Sequence, residues 1–210
     1  MIRVLIADDH PVVRAGMSQI INSDQNIQVT AEAASGKEVL EAITTSGFDV
    51  LLLDISMPEP SGIDLLQKLK AARCPAAVLF MSMYPEDQFA VRLLKSGASG
   101  YLTKESAPDQ LLTSIRKVAS GGRYISPSLA EILADNLTDS SERPAHETLS
   151  NREYQIFCML ASGKSVSETA NILSLSVKTV STYRSRILEK MNMSKNAEFT
   201  YYAVKNGLID

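Results

Sequence analysis

Apolar and polar positions alternate in blocks over the first 120 residues. Short apolar runs are typical of strands buried on both faces of a sheet, and they lie at residues 2–7, 27–33, 50–53, 77–81 and 100–103. Between them, apolar residues recur every three or four positions, which indicates helices at 11–22, 36–46, 61–71, 86–96 and 107–120. Strands that alternate with helices predict βαβ units. We therefore predict an α/β domain of (βα)5 type with a parallel sheet.

The pattern changes near residue 122. Residues 136–148 are polar and contain a proline, which favours a flexible linker that is preceded by a short helix around 128–136. We therefore predict a linker with a short helix at 123–146. Residues 147–210 have helical spacing only. Their helix signals are two capping-box pairs, one further cap and one terminating glycine: Ser150 with Glu153, Ser165 with Glu168, Ser176, and Gly207. We predict domains at 1–122 and 147–210, the second a small all-α domain of four helices.

Composition restricts the class of protein. A hydrophobic content of 45% with 21% charged residues is typical of a globular chain. The first apolar run begins at residue 2, which leaves no room for a signal peptide, and no run approaches the roughly 18 residues of a membrane span. The two cysteines, Cys74 and Cys158, have no metal-ligand spacing. We expect a cytoplasmic protein with no membrane insertion.

Charge is divided unevenly along the chain. Residues 1–146 hold 13 Lys+Arg and 18 Asp+Glu, whereas residues 147–210 hold 8 Lys+Arg and 6 Asp+Glu. The difference weakly favours contact between the C-terminal part and a polyanion.

Polar side chains follow four of the five predicted strands. Ligands of a parallel sheet bind at the carboxyl ends of its strands, and these ends carry Asp8 and Asp9, Asp54, Ser82, and Lys104. Three clustered carboxylates repel one another unless a cation lies among them, and oxygen ligands favour Mg²⁺. The hydroxyl and the ammonium group could bind a tetrahedral anion. This arrangement predicts that Asp54, at the end of a core strand, attacks phosphorus.

Each of these residues has an ordinary alternative when it is considered alone. An Asp pair after a strand is commonly a solvated loop, a lone Lys is usually solvated, and a lone Ser is usually a helix cap. Their joint placement at one sheet edge favours the functional interpretation. His10, next to Pro11 at a predicted helix start, is interpreted as a surface residue rather than a metal ligand.

Four segments, 7-ADDHPVVRAG-16, 54-DISMPEPSGID-64, 81-MSMYPED-87 and 97-GASGYLTK-104, resemble those of receiver domains of bacterial two-component systems. The resemblance implies a flavodoxin-like fold and a set of residue roles. Asp54 is then the phosphoacceptor, and Mg²⁺ is held by Asp8, Asp9, Asp54 and the main-chain carbonyl of Ser56. Lys104 contacts the phosphoryl group. Ser82 and Tyr101 act as the switch that senses it.

The C-terminal part has a helix-turn-helix pattern. At 100° per residue, Val180, Ile187 and Met191 lie on one face of the predicted second helix. The opposite face is small and polar, with Arg184 and Arg186 at its edges. A helix of this kind suits the major groove, with the cations on phosphates, although a polar face is also what any solvated surface helix shows.

Residues 149–193 resemble the LuxR-type helix-turn-helix of the NarL/FixJ class. The family motif places six residues at or near DNA: Lys178, Thr179, Ser181, Thr182, Ser185 and Arg186. This chain has small hydroxyl residues at the groove-facing positions, where some family members have lysines. We therefore expect contacts through water, DNA shape and phosphates to matter more than direct base readout. In the last helix, Tyr201 and Tyr202 either help the domain to dimerise or pack in its core.

The two resemblances together imply a DNA-binding response regulator that is not an enzyme beyond its own phosphorylation and dephosphorylation at Asp54. The partners implied are a sensor histidine kinase, double-stranded promoter DNA, RNA polymerase, and a second copy of the chain after phosphorylation. Two alternatives stay open from the residues alone. One is a regulator that binds proteins instead of DNA. The other is a phosphatase with an Asp nucleophile, although Ser56 stands where that chemistry needs a second Asp.

Overall fold

The computed structural model describes residues 1–45, 47–57, 60–138 and 144–209, with the side chains of 135–138 excepted. The chain forms two compact units, Met1–Asn136 and Leu137–Asp210. Among the described residues, no helix is both long enough and apolar enough to cross a membrane.

The first unit is a five-stranded parallel sheet with helices on both faces, as predicted. Its strand order is β2-β1-β3-β4-β5. The strands are β1 Ile2–Ala7, β2 Ile27–Ala33, β3 Val50–Asp54, β4 Ala77–Ser82 and β5 Gly100–Thr103. The helices are α1 Pro11–Asn22, α2 Gly36–Thr45, α3 Gly62–Ala71, α4 Glu86–Lys95, α5 Pro108–Ala119 and α6 Pro127–Thr138. The predicted end of the second helix, at residue 46, lies outside the described residues.

The core of this unit explains the apolar runs. All five residues of β3 are buried, which is why this strand reads as a continuous apolar run that ends in a carboxylate. On one face of the sheet, Met17 and Ile21 of α1 and Ile115 of α5 pack against alternate strand residues such as Val4 and Leu52. The buried strands therefore hold the residues at their carboxyl ends in well-defined positions.

Gly62, the first residue of α3, permits a close approach of backbone to backbone beside the end of β3. A Cβ atom at this position would lie 2.0 Å from the carbonyl oxygen of Asp54. Only glycine leaves room for the start of α3 to pack directly against the residue that ends the core strand.

The segment that follows α5 completes this unit. Tyr124 pairs with Gly100 at the edge of β5, and Leu129 of α6 is fully buried. Ser126 and Ser128 each donate a side-chain hydrogen bond of 2.6 Å to one carboxylate oxygen of Glu86, at the start of α4. These three residues are called the serine clasp below. The clasp attaches the start of α6 to the start of α4.

The predicted linker at 123–146 thus contains the short helix that the sequence indicates, as α6. Residues 139–143 of this predicted linker lie outside the described residues. The limits 1–122, 123–146 and 147–210 stay a prediction.

The second unit is helical, as predicted. A 3₁₀ turn at Ala145–Thr148 precedes α7 Asn151–Ala161, α8 Val166–Ile172, α9 Val177–Lys190 and α10 Asn196–Lys205. Both predicted capping boxes are present, and the side chain of Ser176 caps α9 by accepting a hydrogen bond from the Thr179 amide. Gly207 has φ +63° just past α10, the left-handed conformation that ends a helix at glycine.

Candidate functional site

The predicted site residues of the first unit gather where the strand order reverses. From β1 the chain goes to β2 on one side and then to β3 on the other, so the carboxyl ends of β1 and β3 are adjacent. Such a reversal opens a crevice in which parallel sheets bind ligands. Asp8 directly follows β1, and Asp54 ends β3.

Lys104 joins these two strand ends. Its Nζ lies 2.6 Å from Oδ2 of Asp8 and 3.3 Å from Oδ1 of Asp54. The side chains of Asp8 and Asp54 are buried, and that of Lys104 is 9% exposed. The Lys104 amide donates a 2.8 Å hydrogen bond to the carbonyl oxygen of Ser82, which fixes the backbone that carries the ammonium group. The predicted meeting of carboxylates and ammonium at one edge of the sheet is present.

The buried charges change one another's protonation. Burial raises the pKa of Asp54 from its ordinary 3.8 to about 6; the charge of Lys104 opposes this, and the carboxylates of Asp8 and Asp9 reinforce it. Burial alone would lower the pKa of Lys104, but the carboxylates of Asp54 and Asp8 outweigh it, so that pKa lies above its ordinary value. Lys104 is therefore a permanent cation, whereas Asp54 is an anion only above weakly acidic pH.

Asp9 and His10 extend the site toward solvent. Nδ1 of His10 lies 2.8 Å from Oδ1 of Asp9 and 3.3 Å from Oδ1 of Asp8. The His10 side chain is 65% exposed, in keeping with the prediction of a surface residue, yet its ring edge touches both carboxylates. One ligand atom from each of these three residues lies within 4.8 Å of the others.

The site holds more negative than positive charge. The carboxylates of Asp8 and Asp54 share the ammonium group of Lys104, and the carboxylate of Asp9 lies beside that of Asp8 against His10. Clustered carboxylates are stabilised by a cation, and carboxylate oxygens are the ligands that Mg²⁺ prefers. The residues present therefore fit Mg²⁺.

Arg14 binds the main chain of the site at Asp8, a contact that the sequence analysis did not predict. Its Nη1 donates a 2.7 Å hydrogen bond to the main-chain carbonyl of Asp8, and its Nε lies 3.4 Å from Glu32 on β2. The only sequence signal was an arginine one turn into the helix after the Asp pair.

Ser82 and Tyr101 meet around the backbone of Tyr84. The Tyr84 amide donates to Oγ of Ser82 at 3.1 Å, and the Tyr101 hydroxyl donates to the Tyr84 carbonyl at 2.6 Å. Tyr101 is fully buried, and burial raises its pKa above the ordinary value, so the phenol stays a neutral donor. The ring thus lies inward and holds the loop between β4 and α4, while Ser56 stands half-buried in the turn after β3.

In the second unit, α9 presents the predicted faces. Val180, Ile187 and Met191 are buried together. Of the six residues predicted to lie near DNA, five are exposed, and Thr179 is half-buried with its Oγ1 2.7 Å from Oγ of the capping Ser176. A shallow groove runs along this surface, lined by Ser176, Lys178, Thr179, Thr182, Tyr183 and Arg186.

The contacts of α9 add detail that the helical wheel lacked. The hydroxyls of Thr182 and Ser185 donate their protons to the carbonyls of Lys178 and Ser181, one turn back in the helix. Each of these hydroxyl oxygens can therefore still accept a hydrogen bond but has no proton left to donate. Nε of Arg184, expected at the edge of the face, instead donates a 2.6 Å hydrogen bond to Asn196 of α10. The sequence analysis did not predict that Tyr183 lines this groove. The residue lies between the buried and the exposed face of α9, so the helical periodicity assigns it to neither.

The two tyrosines of α10 have different surroundings. Tyr201 is 72% exposed and stands near the exposed Val204. Tyr202 is half-buried, and its hydroxyl lies 3.0 Å from Nδ1 of His146. Of the two alternatives left open by the sequence, core packing therefore describes Tyr202, and Tyr201 is the residue available to a partner.

Two protein-family models match the chain. The model described as the response regulator receiver domain matches residues 4–116, and the model described as bacterial regulatory proteins of the luxR family matches residues 147–203. The two matches correspond to the sheet unit and to the helical unit.

Known response regulators match nearly the whole length of the chain. The response regulator GacA of Pseudomonas protegens is 38% identical, with 100% of this chain and 99% of GacA covered. The response regulator UvrY of Escherichia coli strain K12 is 34% identical, over 99% of this chain and 96% of UvrY. RcsB of Salmonella enterica serovar Typhimurium, solved bound to a promoter in the presence of the phosphomimetic BeF₃⁻, shares the fold at 23% identity, with a TM-score of 0.68 and 97% and 98% of the two chains covered.

Proposed function

Because the chain belongs to the response regulators of two-component systems, with a receiver domain and a LuxR-type DNA-binding domain, we propose that phosphorylation of Asp54 controls its binding to promoters. The observation that carries the proposal is the Lys104 ammonium group between Asp8 and Asp54 at the reversal of strand order. The Lys104 ammonium group thus lies beside the Asp54 carboxylate, which would carry the negatively charged phosphoryl group.

The chemistry at Asp54 is a transfer of a phosphoryl group. One carboxylate oxygen attacks the phosphorus of the donor, which is a phosphohistidine of a sensor kinase or a small acyl phosphate. The bond from phosphorus to the donor's nitrogen or oxygen breaks, and its electron pair leaves with the donor. Lys104, already 3.3 Å from the nucleophilic carboxylate, stabilises the added negative charge. The reaction requires the ionised form of Asp54.

Mg²⁺ would be held by the carboxylates of Asp8, Asp9 and Asp54 and by the carbonyl of Ser56. It would supply positive charge that neutralises the carboxylates and the phosphoryl oxygens. The excess of carboxylates over ammonium groups at the ends of β1 and β3 supports this assignment.

The response would pass through the loop between β4 and α4. Ser82, whose Oγ now accepts a hydrogen bond from the Tyr84 amide, would turn to donate its hydroxyl proton to a phosphoryl oxygen, because a charged acceptor makes a stronger hydrogen bond than a neutral one. Tyr101, hydrogen-bonded to the same loop, would follow that movement. We propose that this change favours a homodimer, whose two helical units then bind paired half-sites together.

The helical unit would place α9 in the major groove. Lys178 and Arg186 supply cations for phosphates, and Ser181, Thr182 and Ser185 supply hydroxyl acceptors, with Thr179 at the helix start. RNA polymerase would be the further partner, and the cytoplasm is where such a regulator meets DNA. Families of this kind are generally transcription regulators rather than enzymes, so turnover at Asp54 would be the chain's only chemistry.

Intact-mass measurement after incubation with acetyl phosphate tests the phosphoacceptor. The wild-type chain is expected to gain one phosphoryl group in Mg²⁺ and none in EDTA, and Asp54→Asn is expected to gain none. Asp87→Asn is the matched control, because Asp87 is an exposed aspartate of α4 outside the site. An adduct on Asp54→Asn equal to that of the wild type would overturn the assignment.

Titration with duplex DNA tests the α9 surface. Replacing Lys178 and Arg186 by Ala is expected to weaken binding about tenfold and to reduce the slope of log affinity against log salt by about two. Replacing Lys195 and Lys205 by Ala, at the two ends of α10, is the charge-matched control with a small effect. Equal loss for both variants would assign the binding to net charge rather than to α9.

A further inference from the structure

The loop between β4 and α4 carries both contacts of the proposed switch on one residue. The amide of Tyr84 donates to Oγ of Ser82, and the carbonyl of Tyr84 accepts from the hydroxyl of Tyr101. Pro85 follows with its φ fixed at −64°, and Glu86 is the first residue of α4. A movement of Tyr84 therefore reaches Glu86 through a single residue of restricted conformation.

Glu86 also supports the first turn of α6. One of its carboxylate oxygens accepts a hydrogen bond from each serine of the clasp. The hydroxyl oxygen of Ser126 accepts in turn a 3.1 Å hydrogen bond from the Leu129 amide, so this serine caps the start of α6. Hydrogen bonds to a charged acceptor are the stronger ones, so the carboxylate holds the serines in the geometry that caps the helix.

The segment before α6 is attached to β5, beside the other half of the switch. The Tyr124 amide donates a 2.8 Å hydrogen bond to the Ser99 carbonyl. Tyr124 also pairs with Gly100, the residue before Tyr101. Burial is the main reason that the pKa values of Tyr101 and Tyr124 are raised, and the negative charge of Glu86 adds to both. The start of α6 therefore contacts the two elements that the switch would move.

Leu129 attaches α6 in a second way that does not depend on the clasp. Its side chain is fully buried, so apolar packing keeps the helix on the sheet unit when the serines lose Glu86. Opening the clasp would therefore loosen the first turn of α6 without detaching the helix. Among the described residues, α6 is the last α-helix before the helical unit, so it leads directly from the receiver toward the DNA-binding part of the chain.

We propose that the serine clasp couples the phosphorylation site to α6 and that it opens when Asp54 is phosphorylated. Ser82 would turn to the phosphoryl group and release the Tyr84 amide, and the loop would carry Glu86 with it. Both clasp bonds are 2.6 Å long and share one oxygen, so a displacement of this carboxylate stretches both together. The inference rests on the proposed function, because the movement of Ser82 starts the change.

Hydrogen exchange of the full-length chain in Mg²⁺, with and without BeF₃⁻, measures this coupling. In the wild type, the amides of Leu129 and Ala130 should exchange about fivefold faster or more in BeF₃⁻. In Glu86→Gln, these amides should already exchange about tenfold faster without BeF₃⁻, and the anion should change them by less than about twofold. Asp87→Asn, in the same turn of α4, is the matched control and should respond as the wild type does.

The coupling is reciprocal, so the clasp must also act on the phosphorylation site. Ser128→Ala removes one clasp bond from an exposed position and leaves the cap made by Ser126 in place. Because the closed clasp favours the state without the anion, this variant should bind BeF₃⁻ about threefold more tightly in calorimetry. Ser120→Ala is the matched control with unchanged affinity, since Ser120 is an exposed serine at the end of α5 that also donates one side-chain hydrogen bond.

The outcomes separate the coupling from the proposed function. In a chain that still gains one phosphoryl group from acetyl phosphate, Leu129 exchange that BeF₃⁻ leaves unchanged or slows overturns the coupling. A full response in Glu86→Gln, or unchanged BeF₃⁻ affinity in Ser128→Ala, overturns it as well. A wild-type chain that gains no phosphoryl group and shows no change at the Tyr84 amide in BeF₃⁻ contradicts the proposed function, and the coupling falls with it.

Discussion

Asp54 is a carboxylate that is only 4% exposed and shares the ammonium group of Lys104 with Asp8. Its pKa of about 6 means that the folded chain binds the proton more tightly than the unfolded chain does. The ionised form needed for phosphorylation is therefore the less stable form of the fold. Function and stability oppose each other at this residue.

Asp54→Asn is expected to stabilise the metal-free chain at pH 7.5. The raised pKa gives the wild type stability that is fully present below pH 3.8 and is lost as pH rises through about 6. Asn imitates the protonated form at every pH, so the gain at pH 7.5 is about 1–3 kcal/mol. Thermal melts in EDTA from pH 4.5 to pH 7.5 measure it, and the gap should shrink as pH falls.

The same melts in Mg²⁺ give the second half of this test. The wild type should recover most of the gap, because a cation offsets the charge of Asp54, whereas Asp54→Asn should gain little. A gap of constant size from pH 4.5 to pH 7.5 would contradict the cost of the buried charge. Asp87→Asn, exposed on α4, should show no such pH dependence.

At the level of residues, the sequence identified most of the side chains of the site but few of their contacts. Asp8, Asp54 and Lys104 were predictable because the end of a buried parallel strand has a known place in the sheet. The bond from Tyr101 to the Tyr84 carbonyl depends on the conformation of a loop, and the bond from Arg14 to the Asp8 carbonyl depends on where a long side chain ends. Neither geometry follows from periodicity.

Among the elements, α3 is positioned by the absence of a side chain at Gly62. Gly62→Ala is expected to destabilise the chain by at least about 1–3 kcal/mol, because its Cβ would lie 2.0 Å from the Asp54 carbonyl oxygen and must push α3 and β3 apart. Chemical denaturation measures the loss, and phosphorylation by acetyl phosphate should slow as well.

Gly16→Ala is the matched control for this substitution. Gly16 lies inside α1, and a Cβ there meets nothing within 4 Å. Because Ala is the better helix former, this variant should gain about 0.5–1 kcal/mol. Equal losses in the two variants would show that the close approach at Gly62 is unimportant.

The serine clasp should decide how firmly the start of α6 is held. Glu86→Gln keeps the shape of the side chain but replaces a charged acceptor with a weaker neutral one. Backbone amides at the start of α6, such as those of Leu129 and Ala130, should exchange with deuterium about tenfold faster, and those of β1 should not change. Unchanged exchange at Leu129 would mean that its buried side chain alone holds the helix.

Asp87→Asn is the control for the clasp variant, because it changes a neighbouring charge in the same turn of α4 without touching either serine. Faster exchange in both variants would assign the effect to charge at the start of α4.

Element boundaries were predictable to about one residue wherever a local signal exists. Prolines begin α1, α5 and α6, and serine caps begin α7, α8 and α9, so the sequence states where those helices start. The pairing of Tyr124 with Gly100 was not predictable, because it joins an irregular segment to the edge of the last strand. Contacts between segments with no period of their own require the folded sheet.

For the whole molecule, the first unit extends past its last β–α repeat. A chain ended after residue 136 is expected to melt about 5 °C or more above one ended after residue 122, because Tyr124 and Leu129 bury apolar surface that the shorter chain lacks. Circular dichroism of the two truncated chains measures this. Equal melting temperatures would show that the unit is complete at residue 122.

The order in which the ribosome makes the chain has a consequence for the acidic site. A ribosome makes β1 with Asp8 first, adds Lys104 only with the end of β5, and reaches Leu129 later still. A nascent chain therefore lacks the complete acidic site for roughly its first half. It nevertheless possesses that site before α9, which begins at Val177, has been made. The receiver domain is therefore synthesised before the DNA-binding domain. A chain still on the ribosome at this stage has no α9 with which to bind a promoter.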